Sequence, residues 1–208
     1  MKKIILHLCA DIGSDSIYFQ LDKDFEVIKV GSDIGVENYI PPKNVYGIIA
    51  NPPCTEFSTV KCFTHIGDLE KGMELVNHCI RIIKESNPNW WVLENPANGR
   101  LKEILGKPRY VYQPYEYGSA WTKKTALWGN FTIPKKTHTW NTCEKIPELY
   151  IRKGRSKPSL VYLHKNDKFK IKDFEWAYDK INDDMSLRSM CCDGFAKSFY
   201  EANKNYKI

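Results

Sequence analysis

Short apolar runs separated by polar turns recur through the first half of the chain. Lys3–Leu8 and Phe25–Val30 are β-type runs, and residues 46–50 (Tyr46-Gly47-Ile48-Ile49-Ala50) form a third. Each is too short for a globular helix and rich enough in β-branched residues to read as a strand buried on both faces. Between residues 69 and 85 the period changes. Leu69, Met73, Val76, Cys79, Ile80 and Ile83 recur at three- and four-residue steps, the mark of an amphipathic helix, with Cys79 on its core stripe. That helix is expected to stop at Asn87-Pro88, and residues 90–93 (Trp90-Trp91-Val92-Leu93) read as a fourth strand. Residues 101–105 suit a short helix closed by Gly106-Lys107-Pro108. The aromatic alternation of 109–117 predicts a strand, and 122–128 the return arm of a hairpin. Residues 130–182 are polar, lysine-rich and interrupted by prolines, which predicts a small irregular insertion. A helical pattern returns from Asp183 to Lys204, with a break expected at Asp193-Gly194.

Strands alternating with helices imply an α/β fold with a Rossmann-like doubly wound sheet. The expected organisation is a catalytic α/β domain over 1–130, an insertion over 131–182 and a C-terminal helix over 183–208 that returns to the first part.

Two strands end in an unusual way. The third runs into Asn51-Pro52-Pro53-Cys54, and the fourth into Glu94-Asn95-Pro96. Proline cannot continue a sheet ladder, so the chain leaves the sheet at both points. In a parallel sheet the two ends share one edge, where ligands of open α/β sheets bind. Cys54 and Glu94 are therefore expected to face one crevice. The first strand leads into Cys9-Ala10-Asp11-Ile12-Gly13-Ser14-Asp15-Ser16, a turn of the kind that meets nucleotide-type cofactors. The second strand is followed by Asp33, which reads equally as an acid that holds ribose hydroxyls or as part of a surface turn.

Composition narrows the class. The chain has 208 residues and a net charge of +6, a modest basic excess compatible with a polyanionic partner. The lysine-rich stretches lie in the C-terminal half: Lys123-Lys124, Lys135-Lys136, 152–157 and 165–172. Seven cysteines at irregular spacing argue against a secreted disulfide framework and for a reducing, cytoplasmic compartment. Cys54, Cys62 and His65 lie near one another, but without paired C-x-x-C units no metal site is expected. No apolar run is long enough to span a bilayer, and the N-terminal residues read as a strand rather than a signal peptide.

With these motifs in order, the chain resembles the DNA cytosine-C5 methyltransferase family, in particular compact, phage-type members. Asn51-Pro52-Pro53-Cys54-Thr55-Glu56-Phe57-Ser58 resembles the nucleophile motif. Glu94-Asn95-Pro96 resembles the Glu-Asn-Val/Pro motif, and residues 121–128 the arginine-bearing motif before the recognition region. Residues 193–202 resemble the helix that returns to the cofactor side. The resemblance implies a class I methyltransferase fold, S-adenosylmethionine as methyl donor and DNA as substrate. It assigns catalysis to Cys54, Glu94 and Lys124. It assigns cofactor binding to Asp11, Gly13, Ser14, Asp33, Asn51, Pro52 and Gly194, and substrate binding to Pro53, Ser58, Asn95 and Thr122. The implied chemistry is addition of a thiolate at cytosine C6, which makes C5 nucleophilic toward the methyl group.

The sequence departs from the family pattern on the donor side. Asp11 stands where a glycine is common, Gly31 replaces the acid expected directly after the second strand, and Lys124 replaces an arginine. The short insertion implies DNA recognised with low sequence specificity, a single-stranded substrate or a smaller nucleotide. Two other readings were weighed. An amino-methyltransferase shares Asn-Pro-Pro but needs an aromatic ring where Cys54 stands, and it gives Glu94-Asn95-Pro96 no role. A nucleic-acid-binding protein that has lost catalysis would bind DNA without dependence on Cys54.

Overall fold

Three of the predicted strands form where the apolar runs place them, and their pairing fixes the edge on which the site is built. In the computed structural model, residues 1–58 and 67–207 are described. Strands β1 (Lys3–Leu8), β2 (Phe25–Val30), β3 (Val45–Ala50), β4 (Trp90–Pro96), β5 (Tyr110–Tyr112) and β6 (Thr125–Asn130) form one sheet in the order β2-β1-β3-β4-β6-β5. β2, β1, β3 and β4 are mutually parallel; β6 runs antiparallel to both β4 and β5. The order reverses at β1, whose neighbours β2 and β3 lie to either side. The sheet is thus Rossmann-like, with its switch point between β1 and β3.

The strands are mostly apolar because both faces of the sheet are covered. Alternation sends Ile5, Ile49, Trp90 and Val92 to one face, with Phe19 of helix α1 (Ile17–Leu21) and Phe195 and Phe199 of helix α5 (Asp193–Asn203). It sends Leu6, Leu8, Ile48, Ala50 and Leu93 to the other, with Val76, Cys79 and Ile82 of helix α2 (Leu69–Ser86). Trp90 is fully buried and packs against Phe19 and Phe199, each with ring centroids 5.5 Å away. Such aromatic pairs add about 0.5–1.5 kcal/mol to the area they bury.

Local signals account for the helix ends. The Asp68 side chain accepts from the Glu70 and Lys71 amides at the start of α2. The helix stops at Asn87, which takes a left-handed φ of 43° just before Pro88. α5 is tied to α1 by the Tyr18 hydroxyl, which donates to both oxygens of Asp193.

Four expectations need adjustment. Glu94, Asn95 and Pro96 are the last residues of β4 rather than a loop beyond it, because β6 pairs with them as far as Pro96↔Thr125. The strand expected over 109–117 ends at Tyr112. Pro114 starts a 3-10 helix (Pro114–Tyr117), since proline cannot donate to a ladder. The C-terminal helical pattern breaks at Met190–Cys192, between α4 (Asp184–Ser189) and α5, and Asp193-Gly194 open α5 rather than interrupt it. The sequence reading also left α1 without a helix.

A short helix α3 (Leu101–Leu105) precedes β5. Over 131–182, the regular elements among the described residues are 3-10 helices only. Phe131, Leu160, Ile171, Phe174 and Ile181 from that stretch are buried in the same cluster as Ile5 and Trp90. No helix among the described residues is long and apolar enough to cross a membrane.

Candidate active site

The site grows from strand register. Leu8 of β1 pairs with Ala50 of β3, and Ala50 with Leu93 of β4. One step beyond these pairs come Asn51 and Glu94, side by side. The Asn51 amide still donates to the Leu8 carbonyl (3.0 Å), so Asn51 is held as a continuation of β3 before the prolines turn the chain away. Alternation puts Lys29, His7, Asn51 and Glu94 on the face covered by α1 and α5.

Pro52 and Pro53 then carry the chain to Cys54, which is exposed and precedes a 3-10 helix (Thr55–Phe57). Both ends of this loop are anchored. The Asn95 side-chain amide donates to the Pro52 carbonyl (3.0 Å), and the Arg100 amide donates to the Phe57 carbonyl (2.8 Å). Asn95 is fully buried, and its Oδ1 has no partner among the described residues. Pro52 is buried, while Pro53 and Ser58 are exposed.

Glu94 points into a narrow crevice with Asp15, Ile49, Val92, Leu127, Phe195 and Phe199. Burial pushes its carboxyl up to about 7. Asp15 and Asp11 add to the rise; Lys123 and a hydrogen bond from the Asn51 side chain oppose it. The Cys54 thiol is also raised, first by desolvation and then by the Glu94 charge, with Lys123 again opposing. Lys123 donates to the carbonyls of Ser189 (3.0 Å) and Met190 (3.3 Å). Burial disfavours its charge, but Glu94, Asp15 and the nearby thiols outweigh burial and hold the ammonium above its usual value.

The turn after β1 closes the other side. Gly13 takes φ 87°, a left-handed conformation that favours glycine. The Lys29 ammonium donates to the Ile12 carbonyl (3.2 Å), and a Cβ on Gly13 would lie 2.5 Å from it. Ser14 is buried, and its hydroxyl oxygen accepts from the Cys191 amide (2.9 Å). The α4–α5 connection is therefore held from two directions, by Ser14 and by Lys123. Gly194 lets α5 approach closely, since a Cβ there would lie 1.8 Å from the Tyr117 carbonyl oxygen.

Among the residues expected from the sequence, Asn51, Pro52, Cys54, Glu94 and Asn95 are brought together. Gly13, Ser14 and Gly194 shape the adjoining turn and helix. Asp11 is exposed on that turn, and Asp33 is exposed after β2. Thr122 lies elsewhere: its amide and hydroxyl both donate to the Pro158 carbonyl (3.0 Å each), which ties the hairpin to the insertion. Lys124 is exposed, and its carbonyl accepts from the Ala97 amide (2.9 Å). The cation that faces Glu94 and Cys54 is its neighbour Lys123.

Sequence reasoning missed Lys123, His7 and Ser16. His7 carried a signal, as a polar residue inside a strand buried on both faces. Cys62 and His65, weighed with Cys54 as metal ligands, lie outside the described residues. Among those described, no group of three or more His, Cys, Asp or Glu side chains is placed to hold a metal.

Comparison with known proteins bears on this part of the chain. Residues 21–98, which include Cys54 and Glu94, match the family model described as C-5 cytosine-specific DNA methylase. A protein of Frog virus 3 (isolate Goorha), named "Probable DNA (cytosine-5)-methyltransferase", is 30% identical over 123 residues, or 51% of this chain and 57% of the viral one. A solved E. coli structure, a "putative DNA modification methyltransferase encoded within prophage", aligns with a TM-score of 0.42 and 15% identity, covering 77% of this chain and 53% of its own. The chain thus spans between half and two thirds of the length of these two proteins. In the segment that carries Cys54 and Glu94, the chain is similar to C-5 cytosine-specific DNA methylases.

Proposed function

We propose that this chain methylates cytosine C5 in DNA, with Cys54 as nucleophile, Glu94 as the acid that holds the ring, and S-adenosylmethionine as donor. The supporting observation is the juxtaposition built by register: an exposed thiol on a loop anchored at Pro52, beside a half-buried carboxyl that titrates near neutrality. Cytosine C5 is a poor nucleophile. Addition of the Cys54 thiolate at C6 converts the ring to an enamine and frees the electron pair that C5 uses to take the methyl group. A protonated Glu94 donating to N3 stabilises the charge that builds on the ring as sulfur adds. Loss of the C5 proton to a base then expels sulfur and restores the ring.

The groups at the switch point fit the donor in charge. Asp11, Asp15 and Asp33 complement a sulfonium, an ammonium and ribose hydroxyls, and Lys29 complements a carboxylate. When bound, the donor supplies an electrophilic methyl group. Lys123 lowers the thiol from where desolvation and Glu94 would set it, which raises the thiolate fraction. A base within a duplex must leave the stack to reach Glu94. For DNA contact, Arg152, Lys153 and Arg155 are exposed on the insertion, and the Lys157 ammonium lies over the rings of Trp140 (5.1 Å) and Tyr115 (5.8 Å).

Incubation with S-adenosylmethionine and DNA containing 5-fluorocytosine tests this reading, because fluorine at C5 cannot be lost as a proton. A stable protein–DNA adduct is expected with the wild type and none with Cys54→Ser. Wild type that binds both donor and DNA yet forms no adduct overturns it.

A further inference from the structure

His7 is fully enclosed within the sheet and takes no direct part in the chemistry proposed above. Its Nδ1 is 2.8 Å from the Ser16 hydroxyl oxygen, and its Nε2 is 3.1 Å from Asn51 Oδ1. Ser16 in turn lies 3.2 Å from the Gly13 carbonyl, at the turn after β1. At the other end the Asn51 side chain stands beside the Glu94 carboxyl, one register step beyond the Ala50–Leu93 pair, and favours its charged form. A continuous polar row thus runs through the interior: Gly13 carbonyl, Ser16, His7, Asn51, Glu94.

Each member has a limited set of protons, so the row has a direction. With Glu94 ionised, Asn51 Nδ2 donates to the carboxylate and Asn51 Oδ1 accepts from His7 Nε2–H. His7 Nδ1 is then an acceptor and takes the single Ser16 proton, leaving the Gly13 carbonyl without it. With Glu94 protonated, every bond reverses. The carboxyl O–H donates to Asn51 Oδ1 after the amide turns over, and Asn51 Nδ2 donates to His7 Nε2. His7 Nδ1–H then donates to Ser16, and the Ser16 hydroxyl donates to Gly13. Glu94 gains one proton between the two arrangements. His7 exchanges the proton on one ring nitrogen for a proton on the other and stays neutral. A neutral ring suits its position, where burial outweighs Asp15, Asp11 and the Asn51 bond, which favour its charged form, and Lys29 opposes that form as well. Glu94 itself faces Asp15, Asp11 and Lys123.

We propose that His7 is a positioning residue whose tautomer, passed through the Asn51 amide, couples the turn at Gly13–Ser16 to the protonation of Glu94. The consequence for the enzyme rests on the catalytic role proposed for Glu94. Ser16 and Gly13 are buried, so a ligand acts on the row through its charge: one bound at this turn favours one direction of the row, and with it one state of the acid. The donor turn and the base-binding carboxyl then communicate without a movement of the backbone.

The experiment is nitrogen-15 NMR of the full chain labelled at histidine, titrated through neutral pH without DNA or donor. The His7 signals, assigned by His7→Gln, should change from the Nε2–H pattern above the Glu94 titration to the Nδ1–H pattern below it, at the same midpoint and without passing through imidazolium. Glu94→Gln and Asn51→Ala should each abolish the change. A single His7 tautomer throughout, while Glu94 titrates, overturns the proposal. So does conversion of His7 to imidazolium at that midpoint, or a tautomer change that persists in Asn51→Ala. These readouts use the protein alone, so a failed adduct assay leaves them standing. In an active enzyme, His7→Phe should move the alkaline limb of adduct formation by about one pH unit, since Asn51 loses the partner that fixes its amide relative to the carboxyl, while His7→Gln, which can still donate to Asn51, should restore it.

Discussion

Lys123 and Glu94 interact as a half-buried cation and a half-buried acid, yet the acid still titrates near neutrality. Burial wins over the ammonium because Lys123 is shared between the carboxyl, Asp15 and the carbonyls of Ser189 and Met190. Removing it takes away what opposes the rise at both Glu94 and Cys54. Lys123→Met is therefore expected to slow adduct formation at neutral pH by roughly tenfold, taking one pH unit of thiol shift as the scale. It should also cost about 1–3 kcal/mol of stability, since two carbonyls lose a charged donor. Lys124→Ala should lower the rate less and leave stability within about 0.5 kcal/mol. Single-turnover trapping and urea denaturation of the two variants side by side check this.

Glu94 makes stability fall with rising pH. Its folded value of about 7 lies above the ordinary 4.5, so between those values the folded chain binds a proton that the unfolded chain has released. The contribution is intact below pH 4.5 and is lost as pH rises through about 7. At about 1.4 kcal/mol per pH unit the full effect is about 3 kcal/mol. Glu94→Gln is thus expected to be the more stable protein above neutrality, by up to that amount, with the difference closing in acid. Denaturation midpoints measured across that pH range give the answer; equal midpoints at every pH would contradict it.

Exposure separates the thiols. Cys54 is exposed, Cys9 is half-buried, and Cys79, Cys143, Cys191 and Cys192 are buried. Among the described residues, Cys54 should be alkylated first by iodoacetamide in the native state. Its raised thiol means the rate should keep climbing with pH beyond the ordinary thiol range. Peptide mapping by mass spectrometry identifies the modified residue. Lys123→Met should slow the reaction at a given pH.

Gly194→Ala is expected to be severe. The added Cβ would meet the Tyr117 carbonyl at 1.8 Å, and a backbone atom cannot step aside as a side chain would. Separation of α5 from the 3-10 helix at Pro114–Tyr117 would loosen the packing of Phe195 on Tyr112, whose rings stack at 3.8 Å. A loss of roughly 2–4 kcal/mol is expected, read as a lowered thermal midpoint. Retention of the wild-type midpoint would mean that α5 does not sit this close.

Much of this architecture was legible because strand and helix boundaries carry local marks. Val30, Ala50 and Ser86 are each followed within a few residues by glycine or proline. The two strand-end motifs were also visible as breaks in apolar runs. What escaped was set by partners distant in sequence. Nothing within β4 says that Glu94-Asn95-Pro96 stays in the sheet; β6 decides it by pairing there. Nothing in Thr122-Lys123-Lys124-Thr125 says which lysine turns inward; the carbonyls of Ser189 and Met190 decide it. His7 stood out as a polar residue in an apolar strand, but its role needed Ser16 and Asn51 in place.

The Asn95 bond to Pro52 has a mechanical consequence. Glu94 and Asn95 are held in the sheet by β6, while Cys54 lies two residues beyond Pro52. In the proposed reaction, sulfur has to approach a base held by Glu94 from a loop whose near end is fixed at Pro52. Asn95 sets that fixed point, so its loss is expected to misplace the thiol while leaving Cys54 and Glu94 themselves unchanged.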